Sequence, residues 1–159
     1  MQAILLPHSV KKFGWILLIP ATLAGIFLII NGFDSFVLKA KVFAFFNKEI
    51  LSANPSFGWI RTNITQTLVG VLFLIGALLV GFSKEKQEDE FIASLRLSSL
   101  LWAVLVNYTL LLLAFLFVYG LAFLDVMLYN MFTILVIFIF RFHFVLYRSS
   151  RPLKDEKHS

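Results

Sequence analysis

The chain has 159 residues and a mass of 18.2 kDa; 60% of its residues are apolar, 14% are charged, 19 are Phe, and the mean hydropathy is +0.89. Soluble domains run at about half apolar and about a quarter charged, and a fold this small leaves too much of its surface in water to hide such an excess. That arithmetic excludes a soluble enzyme, and the absence of cysteine excludes disulfides, thiolate chemistry and zinc–cysteine sites.

The charges are segregated. Residues 13–33, 62–83, 97–124 and 126–140 hold no Asp, Glu, Lys or Arg, so all 23 formal charges fall in the other 73 positions. Lipid imposes this pattern, because an ion at mid-bilayer costs at least about 2.5–3.5 kcal/mol. The expectation is an all-α polytopic membrane protein, a four-transmembrane-helix bundle with one outside interfacial helix, forming a single membrane domain over residues 1–159.

In chain order, the first span is predicted at about 13–32, with Pro20 bending its first half. Its apolar run is longer than the usual h-region of a secretory signal and no small-x-small cleavage site closes it, so it is expected to be retained. Residues 35–47 are too apolar for free solution, yet Lys39 and Lys41 sit too centrally for a crossing. The segment reads as an interfacial helix, with weak amphipathicity because those lysines fall about 200° apart on a helical wheel. A turn follows at Asn54-Pro55-Ser56, and a re-entrant segment is the alternative.

The second span is predicted at 63–82. A cytoplasmic helical extension over 84–96 follows, in which Lys84 with Glu88 and Lys86 with Glu90 form i,i+4 pairs. Residues 97–140 carry a single charge and, as one helix, would extend about 66 Å, twice the hydrocarbon thickness. The chain must turn back. Gly120 suits a helix end and Asp125 an N-cap, so the third and fourth spans are set at 97–119 and 125–147, with a flexible tail over 149–159. With four crossings, ten of the 14 Lys and Arg share one side and four share the other, which predicts cytoplasmic N and C termini.

Polar residues inside the spans are the first functional candidates. Asn107 and Asn130 lie on consecutive antiparallel helices and are placed to meet, with Tyr108, Thr133 and Asp125 nearby. Structural glue is the plainer account of the two amides, and an N-cap is the plainer account of Asp125. Arg141, His143 and Arg148 are candidate lipid-phosphate contacts at the interface. Glu88, Asp89, Glu90 and Arg96 are a candidate segment for a cytoplasmic partner, although a solvated helix face explains them too.

No metal-ligand spacing connects His8, His143 and His158, and no catalytic constellation, phosphate loop or cofactor motif occurs. The basic balance, with a pI near 9.6, flanks the spans, where topology and anionic lipid account for it without nucleic acid. The expected partners are membrane lipids and a second copy or another membrane protein.

The run Lys86-x-x-Asp89-Glu90-Phe91-Ile92-x-x-Leu95-Arg96, followed by Tyr119-Gly120 and Tyr129-Asn130-Met131-Phe132-Thr133, resembles a family of small four-span inner-membrane proteins of Bacteroidetes type. The resemblance covers about residues 61–148. It implies a bacterial inner (cytoplasmic) membrane location and brings no activity and no catalytic residue. The chain also resembles the membrane portion of some bacterial sensors. The expected role is a non-enzymatic accessory or regulatory membrane protein acting through helix–helix or cytoplasmic contacts. The alternative is a small oligomeric transporter or channel that uses the polar residues between spans three and four.

Overall fold

The computed structural model describes residues 4–32, 35–47 and 56–150. The fold is mostly helical, in the order α1 (His8–Asn31), β1 (Lys39–Asn47), β2 (Ser56–Asn63), α2 (Thr65–Gly81), α3 (Glu90–Phe117) and α4 (Leu121–Ser150). Three of the four helices, α1, α3 and α4, are long and apolar enough to cross a membrane, while α2 is a shorter apolar helix of 17 residues. Their faces carry exposed Leu, Ile and Phe along the whole length, which is the surface that lipid requires and water penalises.

The chain divides into two units: residues 1–16 with 74–159, and residues 17–73. In the first unit α3 and α4 pack along each other as an antiparallel pair. The turn back comes where glycine permits it. α3 ends at Phe117, the Val118 N–H donates to the Ala114 carbonyl at 2.8 Å, and Gly120 takes a left-handed φ of 72°. α4 then begins at once, with the Phe123 N–H on the Gly120 carbonyl at 3.2 Å. Asp125 is therefore not the N-cap expected of it. It lies in the second turn of α4 and is exposed, because Gly120 alone completes the reversal.

The expected helical extension over 84–96 is corrected in its first half: residues 90–96 do extend the third helix, α3 beginning at Glu90, but residues 84–89 are irregular. Asp89 is the true N-cap, its Oδ1 accepting from the Ile92 N–H at 2.8 Å. Upstream of it, the backbone is drawn instead onto the N-terminal arm. The Leu6 N–H donates to the Phe82 carbonyl at 2.9 Å and the Lys84 N–H to the Leu6 carbonyl at 2.8 Å. With that geometry the i,i+4 pairs of Lys84 with Glu88 and Lys86 with Glu90 do not form.

In the second unit the outside interfacial helix over 35–47 is replaced by a strand. β1 pairs with β2 in an antiparallel hairpin, in register Lys39↔Asn63, Lys41↔Arg61 and Phe43↔Trp59, with a bulge between Ala44 and Asn47. The cause is periodicity. Lys39, Lys41 and Phe43 alternate with Ala40, Val42 and Ala44, a repeat of two that puts both lysines on one side of a strand. Val, Phe, Trp, Ile and Thr in the paired segments favour the pleated form.

The hairpin is anchored by Thr65, at the start of α2 and buried. The Thr65 Oγ1 accepts from the Leu38 N–H at 3.0 Å and has the Phe36 carbonyl and Asn63 Oδ1 within donating reach at 2.9 and 2.7 Å. Asn54 and Pro55 of the expected turn, and the tail beyond Ser150, lie outside the described residues.

Candidate functional site

The first unit concentrates its polar chemistry where the N-terminal arm, the 82–89 connection and the ends of α3 and α4 meet. Lys11 and Arg96 are both buried, as are Ser83 and Ser99; these are four of the six buried polar side chains among the described residues. A buried cation without a counter-ion is untenable, and each of these has one. Lys11 Nζ bonds Glu85 Oε1 across 74 residues of sequence. Arg96 Nη1 donates to Glu88 Oε1 at 2.8 Å, and Nη2 donates to Glu88 Oε2 at 3.3 Å and to the Ser83 carbonyl at 3.1 Å. Glu88 Oε2 also accepts from the Glu85 N–H at 2.8 Å, so the two acid–base pairs are joined through the loop backbone.

Phe142, fully buried on α4, is the apolar floor of this arrangement. The Arg96 guanidinium stands 5.1 Å from its ring centroid and Lys11 Nζ 5.9 Å. Next to it, His143 meets Trp15 edge to face at 5.4 Å and turns Nδ1 to the Ile139 carbonyl at 2.9 Å. His8 turns its Nδ1 to the Lys84 carbonyl at 3.0 Å.

Two glycines allow the elements to come this close. A Cβ on Gly14 would lie 2.8 Å from Leu79 Cβ, and one on Gly81 would lie 2.7 Å from the buried Phe138 ring. Arg96 Nε, Ser99 Oγ, Arg141 Nε and His143 Nε2 are buried without a hydrogen-bond partner among the described residues. Each such orphan costs about 1–3 kcal/mol.

Of the candidate intramembrane residues, the structure brings two together. Asn107 Nδ2 donates to Asn130 Oδ1 and Asn130 Nδ2 donates to Asn107 Oδ1, both at 3.2 Å. Asn107 is buried at the α3–α4 seam. The others do not join them. Tyr108 is 60% exposed on the outer side of α3, Thr133 gives its hydroxyl proton to the Tyr129 carbonyl of its own helix, and Asp125 is exposed.

The candidate lipid-phosphate residues also separate. Arg141 lies over the Trp102 ring at 4.7 Å and Arg148 is exposed in the last turn of α4, while His143 turns inward to Trp15. Residues seven apart share a helix face and residues two apart do not, which is why Arg141 and Arg148 fall on one side and His143 on another.

The candidate partner segment is largely consumed from within. Arg96 and Glu88 pair with each other, Asp89 caps α3, and Glu90 is exposed in the first turn of that helix, where it complements the helix dipole. Sequence reasoning missed the partnership of Lys11 with Glu85. The available signal was two cations, Lys11 and Lys12, abutting an apolar run with an acidic loop on the same predicted side. Among the described residues no three His, Asp or Glu side chains gather as metal ligands. Comparison with known proteins finds no matching family model, no matching curated relative and no matching solved structure.

Proposed function

We propose that the protein is a multi-pass resident of a bacterial inner membrane, crossing it four times with both termini in the cytoplasm. In this reading it acts without catalysis, as an accessory or regulatory protein whose working surfaces are helix faces. The fourth crossing is α2. Its 17 residues rise about 26 Å, near the roughly 30 Å of hydrocarbon, and Ile64 and Phe82 extend it at either end. With α2 included, Lys and Arg divide ten to four between the two sides, the basis of the proposed orientation.

One observation carries the functional part. Four ionised side chains of the 83–96 segment, Glu85, Glu88, Asp89 and Arg96, are spent on one another, on Lys11 and on the cap of α3, while the faces of α3 and α4 remain apolar and exposed. A surface of that kind recognises lipid and other transmembrane helices. Leu101, Leu105 and Phe140 are among its exposed members. A photo-crosslinking residue placed at Leu105 on α3, Phe140 on α4 or Ile30 on α1 tests it in native membranes. Capture of one protein species, or of a second copy, from one face and not the others is expected. Capture of nothing but lipid at every position removes the reading.

The amide pair bears on the transporter alternative. Asn107 and Asn130 satisfy each other, and a transport site needs polar groups turned toward a substrate path. Liposome flux that disappears in both Asn107→Leu and Asn130→Leu would reinstate that alternative over the accessory role.

A further inference from the structure

The hairpin gathers cations in a place where topology gives no reason for them. Lys39, Lys41 and Phe43 share one face of the two strands with their cross-strand partners Asn63, Arg61 and Trp59. All three cations are exposed, and no carboxylate stands among these six positions. Among the described residues none of the three takes part in an ion pair. Lys41 stands directly opposite Arg61, an arrangement that repels across the strands. On the proposed topology these cations also lie on the side that the positive-inside bias disfavours. Both costs vanish if the face meets anions.

The position says which anions. One residue, Ile64, separates β2 from α2, and Thr65 ties the base of both strands to the start of that helix. Arg61 is four residues from Thr65, about 13 Å of extended chain, and long basic side chains reach several ångström farther toward a phosphate. On the same face Trp59, 73% exposed, meets Phe43 edge to face at 5.5 Å. Tryptophan beside lysine and arginine is the composition of a bilayer's headgroup layer.

We infer that the Lys39–Lys41–Arg61 face of the β1–β2 hairpin docks on the anionic phospholipid headgroups of the adjoining leaflet. Phosphate groups sit between Lys41 and Arg61, and Trp59 seats beside them at the interface. The inference rests on the membrane reading above and deepens it, since it names the lipid class that the hairpin selects.

The test reconstitutes the full chain in phosphatidylcholine vesicles containing a minority of phosphatidylglycerol. Trp15→Phe and Trp102→Phe leave Trp59 as the only tryptophan while keeping an aromatic ring at both places. Bromine-labelled phosphatidylglycerol is expected to quench Trp59 well beyond its share of the lipid. Lys41→Gln lowers that enrichment about fivefold, the equivalent of roughly 1 kcal/mol for one cation near an anionic surface. The triple variant Lys39→Gln, Lys41→Gln, Arg61→Gln lowers it further, and Lys39→Arg with Lys41→Arg keeps it. Should the double Phe variant misfold, native mass spectrometry of the unsubstituted chain, with phosphatidylglycerol retained over phosphatidylcholine, reads the same preference.

Quenching that merely follows the lipid ratio overturns the inference, as does an enrichment that survives the triple variant or a Trp59 quenched only by soluble acrylamide. Those results leave the membrane reading standing. A chain that does not float with the vesicles at all removes both.

Discussion

Lys11 and Arg96 are buried and each meets a carboxylate, whereas Lys39, Lys41 and Arg61 are exposed and stand opposite an amide or one another in the strand register. The first pair is served by four stretches of chain: the N-terminal arm, the 82–89 connection, α3 and α4. The second group is arranged by the register of two strands alone. The difference lies in who supplies the counter-charge. A cation removed from water must find its partner within the fold, since an unpaired buried ion costs several kcal/mol. An exposed cation can leave that task to whatever lies next to it. Ionic geometry in the first unit therefore reports on folding, and in the hairpin it reports on surroundings.

The largest test of that contrast is Arg96→Leu. It leaves Glu88 and the Ser83 carbonyl without their donor in a part-buried setting and removes the cation from the Phe142 ring. A loss of about 3–5 kcal/mol is expected, read by chemical denaturation in detergent micelles. The double variant with Glu88→Gln should cost clearly less than the sum of the two single changes. A loss near that of a surface ion pair, about 0–1 kcal/mol, would erase the distinction between the two regions.

Close packing sharpens the contrast next. Gly14→Val in the first unit forces a Cβ to 2.8 Å from Leu79 Cβ and 2.9 Å from the Val80 nitrogen. It should cost about 1–3 kcal/mol and loosen Lys11 from Glu85. Gly25→Ala, on the part of α1 that belongs to the second unit, meets only Val69 Cγ1 at an ordinary 3.8 Å. That change is expected to be neutral or stabilising by up to about 1 kcal/mol through helix propensity. Thermal unfolding of the two variants side by side checks both.

How far these features were legible in the sequence follows from their range. The long apolar helices could be read because lipid acts on every residue of a span alike, and the reversal at Gly120 because one residue without a Cβ suffices for it. The meeting of Asn107 with Asn130 was legible since a tight reversal fixes the register of the helices on either side. Lys11 with Glu85 was not, because nothing local encodes a contact across 74 residues. The helical extension over 84–96 formed only from Glu90 onward: local charge spacing favoured helix over 84–89 too, and the distant partner of Glu85 and the pairing of Glu88 with Arg96 outweighed a few tenths of a kcal/mol per i,i+4 pair. The hairpin was legible and misread. A 200° separation on a helical wheel is a weak helix and, equally, a spacing of two on a strand.

A smaller effect is expected at the amide pair. Asn107→Leu should cost about 0.6 kcal/mol and no more than about 2, and Asn130→Leu the same. The double variant should add little, since either change already removes both bonds. Steric-trap or denaturant measurements resolve differences of this size. A loss of several kcal/mol from one substitution would mean that the seam, like the Arg96 cluster, depends on satisfied polar groups for its fold.

The smallest effect separates stability from purpose on the hairpin itself. Lys41→Glu turns the like-charge pair with Arg61 into an opposite pair at a directly facing position, which should favour the strands by about 0.2–1 kcal/mol. Amide hydrogen exchange at Val42 and Ile60 is expected to slow accordingly. The same substitution puts a negative charge on the face proposed to meet phosphate, so the enrichment of anionic lipid around Trp59 should fall at the moment the hairpin becomes more ordered. A fold left to its own stability would have placed a carboxylate at position 41. Slower exchange together with weaker lipid selection would show that the repulsion between Lys41 and Arg61 is tolerated for the sake of a partner outside the chain, which is the opposite of what holds Lys11 and Arg96 in place.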